Sequence, residues 1–131
     1  MAPAELSKVA SGGELSRLML SIKSAVSDYN YIPTLIFDEI DTGVSGEVAA
    51  KIGSIMQQMG TSLQLMAITH LPQVASKAMH HYFIYKDNEG ERTQSHIRLL
   101  QPEERITEIA KMLSNDQVTP EALKAAAVLL I

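Results

Sequence analysis

Apolar residues recur at helical spacing from Leu15 through Leu18, Met19 and Ile22 to Val26, which predicts an amphipathic helix over residues 14–28. Ser11-Gly12-Gly13-Glu14 ahead of it fits a capping box, a Ser followed three residues later by a Glu. After Pro33, the run Thr34-Leu35-Ile36-Phe37 stops abruptly at Asp38-Glu39. Such a run suits a strand buried on both faces of a parallel sheet. Asp41 to Gly46 is a turn-rich link with two glycines, and Val48, Ala49, Ile52, Ile55, Met56 and Met59 mark a second helix that Gly60 is placed to end. Leu63 to Thr69 reads as a second buried strand, followed at once by His70, and Pro72 opens a short helix over 72–78. His81–Lys86 and Glu91–Leu100 flank Asp87-Asn88-Glu89-Gly90, a hairpin signal. Ile106, Ile109, Ala110 and Leu113 mark a third long helix, and Thr119-Pro120 supplies the cap and first-turn proline of a last one reaching Leu130. This order predicts an α/β fold, a mostly parallel sheet flanked by helices with a C-terminal hairpin and helices.

Composition narrows the function classes. The chain has 131 residues, 46% of them hydrophobic, which suits one domain with a real core. Eleven basic against fifteen acidic residues leave a net charge of −4, so no overall basic field draws it to nucleic acid or anionic lipid. Without cysteine there is no disulfide, zinc–thiolate site or thiol nucleophile. No apolar run approaches the ~20 residues of a membrane span, so no membrane partner is expected.

In an open parallel sheet, ligands bind beyond the carboxyl ends of the strands, and both apolar runs end in residues of chemical interest. Asp38 can hold a hydrated Mg²⁺, and Glu39 can orient and deprotonate a water. Each glycine of Gly12-Gly13 permits close backbone approach, and the N-terminus of the following helix can receive phosphate, with the Ser11 hydroxyl as a further donor. The His70 imidazole can hydrogen-bond a phosphate or a water. Taken singly, each has a plain structural reading: a solvated strand end, an ordinary capping box, a structural histidine. His80 and His81 are adjacent in a predicted strand, where their side chains diverge and cannot share a metal. The methionines at 19, 56, 59 and 112 fall at core spacing in helices.

The set as a whole resembles the C-terminal half of the ATPase head of ATP-binding-cassette proteins, a P-loop NTPase fold. Ser11-Gly12-Gly13-Glu14 matches the signature motif, Leu35 to Glu39 the Walker B strand, Asp41 the D-loop and His70 the switch histidine. Transporter cassettes usually carry Gln where this chain has Glu14, whereas SMC-type heads carry Glu. The strings VASGGELSRLMLSIK (9–23), TLIFDEIDTGVSG (34–46) and ITHLPQVASKAMHHYFIYK (68–86) are similar to the RecN family, bacterial SMC-like DNA-repair ATPases. The resemblance implies ATP sandwiched between two heads of a homodimer. Ser11, Gly12, Gly13 and Glu14 would contact ATP held by the partner head. In its own head, Asp38 would support Mg²⁺, Glu39 would be the general base and His70 would sense or position the γ-phosphate. Asp41 would couple the two sites. It further implies a cytoplasmic, nucleoid-associated protein that reaches DNA through its full-length form in double-strand break repair.

None of the seven glycines is followed by lysine, so the loop G-x-x-x-x-G-K-[ST] is absent. Residues 1–131 are therefore expected to be one lobe of a head, a C-terminal fragment, with the Walker A half and the coiled-coil arm upstream in a complete protein. Such a lobe is expected to lack ATPase activity alone and to expose an apolar face or strand edge. The alternative is a non-catalytic module that keeps this half for dimerisation or regulation.

Overall fold

A computed structural model describes residues 12–26, 33–38, 40–87 and 93–131. Two compact units divide between Lys77 and Ala78.

In the first unit the order is α1 (Gly12–Val26), β1 (Thr34–Phe37), α2 (Gly46–Met59), β2 (Gln64–Ala67) and α3 (Pro72–Ala75). β1 and β2 pair in parallel, Thr34 opposite Gln64 and Phe37 opposite Ala67, as the two apolar runs predict. The link before α2 needs two glycines because Gly43 and Gly46 take φ of +73° and +54°, a region costly for residues with a Cβ. α2 then lays Ile52, Met56 and Met59 against Leu35, Phe37 and Leu65, with Leu20, Ile40 and Val74 completing the cluster. Gly60 caps α2 where expected, but in right-handed geometry (φ −62°), its N–H donating back to Met56.

Three expectations need correction. The strands are covered on one face only among the described residues: Phe37 is buried, while its neighbour Ile36 is 64% exposed and Met66 46%. One layer of helix lies against the pair, and alternate side chains of a strand point to opposite faces. On α1, Leu18, Met19 and Ile22 are exposed, and among the described side chains of the helix the buried one is Leu20, at 2%. At ~100° per residue, Leu20 lies nearly opposite that stripe, so it enters the core from the helix's polar side. Finally, α3 ends at Ala75 with Ser76 as its C-cap, three residues short of the expected 72–78.

The second unit comprises β3 (Tyr82–Asp87), β4 (Gln94–Leu99), α4 (Pro102–Leu113) and α5 (Pro120–Leu129). β3 and β4 form the expected antiparallel hairpin, with Ile84 opposite Ile97 and Tyr85 opposite His96. Asn88, Glu89 and Gly90 of its turn lie outside the described residues. His80 and His81 precede the strand rather than lying in it. Glu104 in the first turn of α4 accepts from the N–H of Gln101 at 2.9 Å, and Thr119 Oγ1 accepts from the N–H of Ala122 at 3.1 Å, so both helices begin with a side-chain cap. Small residues let them approach: Ala110, Ala122 and Ala126 are buried beside Ile109.

Candidate functional site

The parallel pairing of β1 and β2 brings their carboxyl ends side by side, and the N–H of Ile68 extends the ladder by donating to the carbonyl of Phe37 at 2.9 Å. Asp38 follows Phe37 in a bend, exposed to solvent. Three residues on, the chain turns inward. Ile40 is fully buried and Asp41 is 1% exposed, although it is a carboxylate. That burial is compensated by donors from the end of β2. Thr69 Oγ1 donates to Asp41 Oδ2, the His70 N–H donates to the same oxygen at 3.0 Å, and His70 Nδ1 lies 3.4 Å from it. Thr69 Oγ1 in turn accepts from the N–H of Leu71 at 3.0 Å. A buried carboxylate without such donors would be strongly disfavoured. The His70 ring itself is 71% exposed.

The link after β1 is also tied to α1. Arg17 Nη1 donates to the carbonyl of Thr42 at 2.8 Å. A guanidinium one turn into the helix therefore fixes the backbone beside Asp41. Gly12 and Gly13 form the first residues of α1, and Glu14 is exposed in its first turn. A helix N-terminus of this length carries unsatisfied N–H groups and a positive dipole end. Ser11 and Glu39 lie outside the described residues. The structure thus brings Asp38, Asp41 and His70 to one edge.

Pattern reading marks Thr69 as a polar end of the second run beside His70 and gives it no role of its own. Its signal was available, since a hydroxyl beside the histidine at a strand end has both donor and acceptor capacity. Among the described residues, no group of three or more His, Cys, Asp or Glu could hold a metal by itself. Mg²⁺ takes one or two carboxylates and fills its shell with water and phosphate oxygens, and the exposed carboxylate of Asp38 could serve as one of them.

Among the described residues the shifted ionisations lie in the second unit. There a cavity of about 410 Å³ is lined by His80, His81, Gln101 and Arg105 among others. Burial holds His81 below its ordinary value, Arg105 adds to the effect and Glu108 opposes it. Glu104 is held low chiefly by the Gln101 N–H and then by Arg98, whose Nη1 lies 2.7 Å away. Burial lowers Arg105. None of these groups belongs to the edge formed by β1 and β2.

No family model matches the chain. A solved structure of an SMC ATPase, from work on ATP-driven dimerisation and DNA-stimulated activation of those enzymes, superposes with a TM-score of 0.62. It covers 84% of this chain and 65% of the other at 18% identity, which shows that the fold is that of an SMC-type ATPase head, a P-loop NTPase architecture. In sequence, the chain is 42% identical to DNA repair protein RecN of Vibrio cholerae over 126 residues and 46% identical to that of Rickettsia conorii over 129. It is 46% identical to RecN of Bacillus subtilis over 114 residues. The matches take in 96%, 98% and 87% of this chain but 23%, 24% and 20% of those proteins. By sequence the chain belongs to the RecN family, and it spans less than a quarter of the length of these relatives.

Proposed function

We propose that this chain is the lobe of an ATPase head that supplies the signature, Walker B, D-loop and switch-histidine elements to a homodimeric DNA-repair ATPase. The observation that carries the reading is the shared edge. Asp38 and His70 stand at the carboxyl ends of adjacent parallel strands, where open α/β sheets receive nucleotides. ATP is the substrate, and Mg²⁺ bound with it neutralises phosphate charge. Asp38 holds the metal, and Glu39 accepts the proton of the attacking water. His70 stands by the γ-phosphate and that water. The N-terminus of α1, with Ser11, Gly12, Gly13 and Glu14, receives the phosphate of ATP bound mainly by the second head. Closure of that sandwich links the nucleotide state to DNA engaged in double-strand break repair by the whole protein, a cytoplasmic and nucleoid-associated activity.

The test is ATP hydrolysis by the complete protein carrying Ser11→Arg or Glu39→Gln. Both lose turnover, and only Glu39→Gln accumulates ATP-trapped dimers by light scattering. Trapped dimers with Ser11→Arg would refute the signature role, and undiminished turnover with Glu39→Gln would refute the base. The 131-residue chain alone, which has no phosphate loop, should show no Mg²⁺-dependent turnover.

A further inference from the structure

We propose that Arg17 is a positioning residue that ties the Asp41–Val44 turn to α1, so that the N-terminus of the helix and the edge formed by β1 and β2 move together. The inference rests on the ATPase reading and deepens it. Coupling between the two nucleotide sites runs through Arg17 within one chain, while the Asp41 carboxylate is spent inside its own chain.

Three observations carry it, and the first is the form of the turn. The Val44 N–H donates to the Asp41 carbonyl at 3.3 Å, Gly43 has φ of +73° and Thr42 keeps a negative φ. These are the marks of a type II turn, whose central peptide is flipped relative to the commoner type I form. The Thr42 carbonyl belongs to that peptide, and the hydrogen bond that closes the turn does not use it. Arg17 Nη1 donates to it at 2.8 Å, a charge-assisted bond that favours the flipped peptide. The second is the face of α1 that Arg17 occupies. Leu20, three residues on, shares that face and is 2% exposed in the cluster that holds Ile40 and Phe37. One residue of the face thus enters the core with Ile40, and the other holds the carbonyl two positions after Ile40. The third is the opposite side of the link. The Asp41 carboxylate is 1% exposed and accepts from the Thr69 hydroxyl and, at 3.0 Å, from the His70 N–H.

The turn is therefore held to the end of β2 through Asp41 and to α1 through Thr42, its next residue. Gly12, where α1 begins, lies five residues ahead of Arg17, about 7.5 Å along the helix axis. A phosphate seated at that N-terminus shifts the helix, and the guanidinium passes the shift to the turn and on to the backbone of His70. Without the guanidinium the central peptide can flip, and α1 closes on the second head's ATP without moving the edge of its own site.

The experiment uses the complete protein with Arg17→Met, which keeps an apolar stem, and Arg17→Lys, which keeps a cationic donor. Without nucleotide, hydrogen–deuterium exchange over residues 40–46 rises in Arg17→Met and stays nearer the native level in Arg17→Lys, while exchange over β3 and β4 is unchanged. With ATP, differently tagged heads are paired so that one carries Glu39→Gln and a single working site remains. Arg17→Met is then placed either on the head that lends its α1 to that site or on the head that lends its Glu39. Turnover falls roughly 10–100-fold in both placements, at nearly unchanged KM. A fall only in the first placement would make Arg17 a contact of the partner's nucleotide and overturn the coupling, as would a fall in neither. Native exchange over residues 40–46 in Arg17→Met overturns the tie itself. Undiminished turnover with Glu39→Gln on both heads marks failure of the ATPase reading, and the nucleotide-free exchange then still decides the tie.

Discussion

Gly53 in α2 and Gln73 in α3 meet at backbone distance: a Cβ built on Gly53 would stand 2.8 Å from the Gln73 carbonyl oxygen. Lys77 Cγ at 3.2 Å and Val74 Cα at 3.3 Å close the remaining space. α3 begins immediately after His70 and Leu71, so this close packing sets where the end of β2 turns. Gly53→Ala would ordinarily gain about 1 kcal/mol of helix propensity. Here the backbone oxygen must move, at roughly 1–3 kcal/mol for overpacking, and a net loss of about 1 kcal/mol is expected. Gly60→Ala is the control. Its nearest atoms lie at an ordinary 3.4 Å and its φ is −62°, so stability should hold or rise. Urea denaturation midpoints decide, and equal behaviour of the two variants would remove the steric argument.

Asp38 and Asp41 lie three positions apart and differ completely in surroundings. Asp41→Ala deletes the acceptor of Thr69 Oγ1 and of the His70 N–H, both partly buried. Leaving such donors unpaired costs about 2–3 kcal/mol. Asp38→Ala, at an exposed bend, should alter stability by no more than about 0.5 kcal/mol. A thermal or chemical melt of both variants checks this. The prediction fails if the exposed aspartate proves the more costly to remove.

Much of this site was legible in the amino-acid pattern, for a physical reason. Thr34–Phe37 and the run into Thr69 are apolar and bounded by polar residues. A two-stranded parallel pair with chemistry at its carboxyl ends follows from that alone. What stayed hidden depends on third dimensions that periodicity does not carry. A glycine inside an apolar helical pattern looks only like a weak point, and the close approach of α3 to Gly53 is invisible until both helices are placed. Leu20 lies off the stripe defined by Leu18, Met19 and Ile22, yet among the described side chains of α1 it is the one that reaches the core. An amphipathic stripe shows that a face seeks a partner, and it does not say which partner. The burial of Asp41 was equally unreadable, because a lone carboxylate in a turn-rich segment is most often solvated.

Ile36 and Phe37 test the one-sided covering of the sheet. Phe37 is 8% exposed against α2, and Phe37→Ala should cost about 3–5 kcal/mol through lost burial and the cavity it leaves. Ile36, at 64% exposed, faces the other side with Met66 and Ile68. Ile36→Thr keeps a β-branched residue in the strand and should change stability by less than about 0.5 kcal/mol. The two variants are compared in urea at constant pH. Similar losses at both positions would show that the outer face is covered in solution.

Protonation supplies the last test, through His81 and Glu104 in the second unit. Burial and Arg105 lower the folded-state value of His81 below 6.5. Its contribution to stability is then fully present above about pH 6.5 and is lost as pH falls through the lowered folded value, because the unfolded chain takes up the proton first. Glu104 behaves in the same direction in a lower window. The Gln101 N–H and Arg98 depress it from 4.5, so its contribution disappears as pH falls below that value toward the folded one. The native chain should therefore lose stability as pH falls below about 6.5, and again as it falls below about 4.5. His81→Leu should flatten the first slope and leave the second, whereas Glu104→Gln should flatten the second alone. His81 Nδ1 has no hydrogen-bond partner among the described residues, so an apolar replacement removes no bond there. Denaturation midpoints across the pH series separate the two effects, and an unchanged upper slope in His81→Leu would show that His81 titrates alike in the folded and unfolded chain.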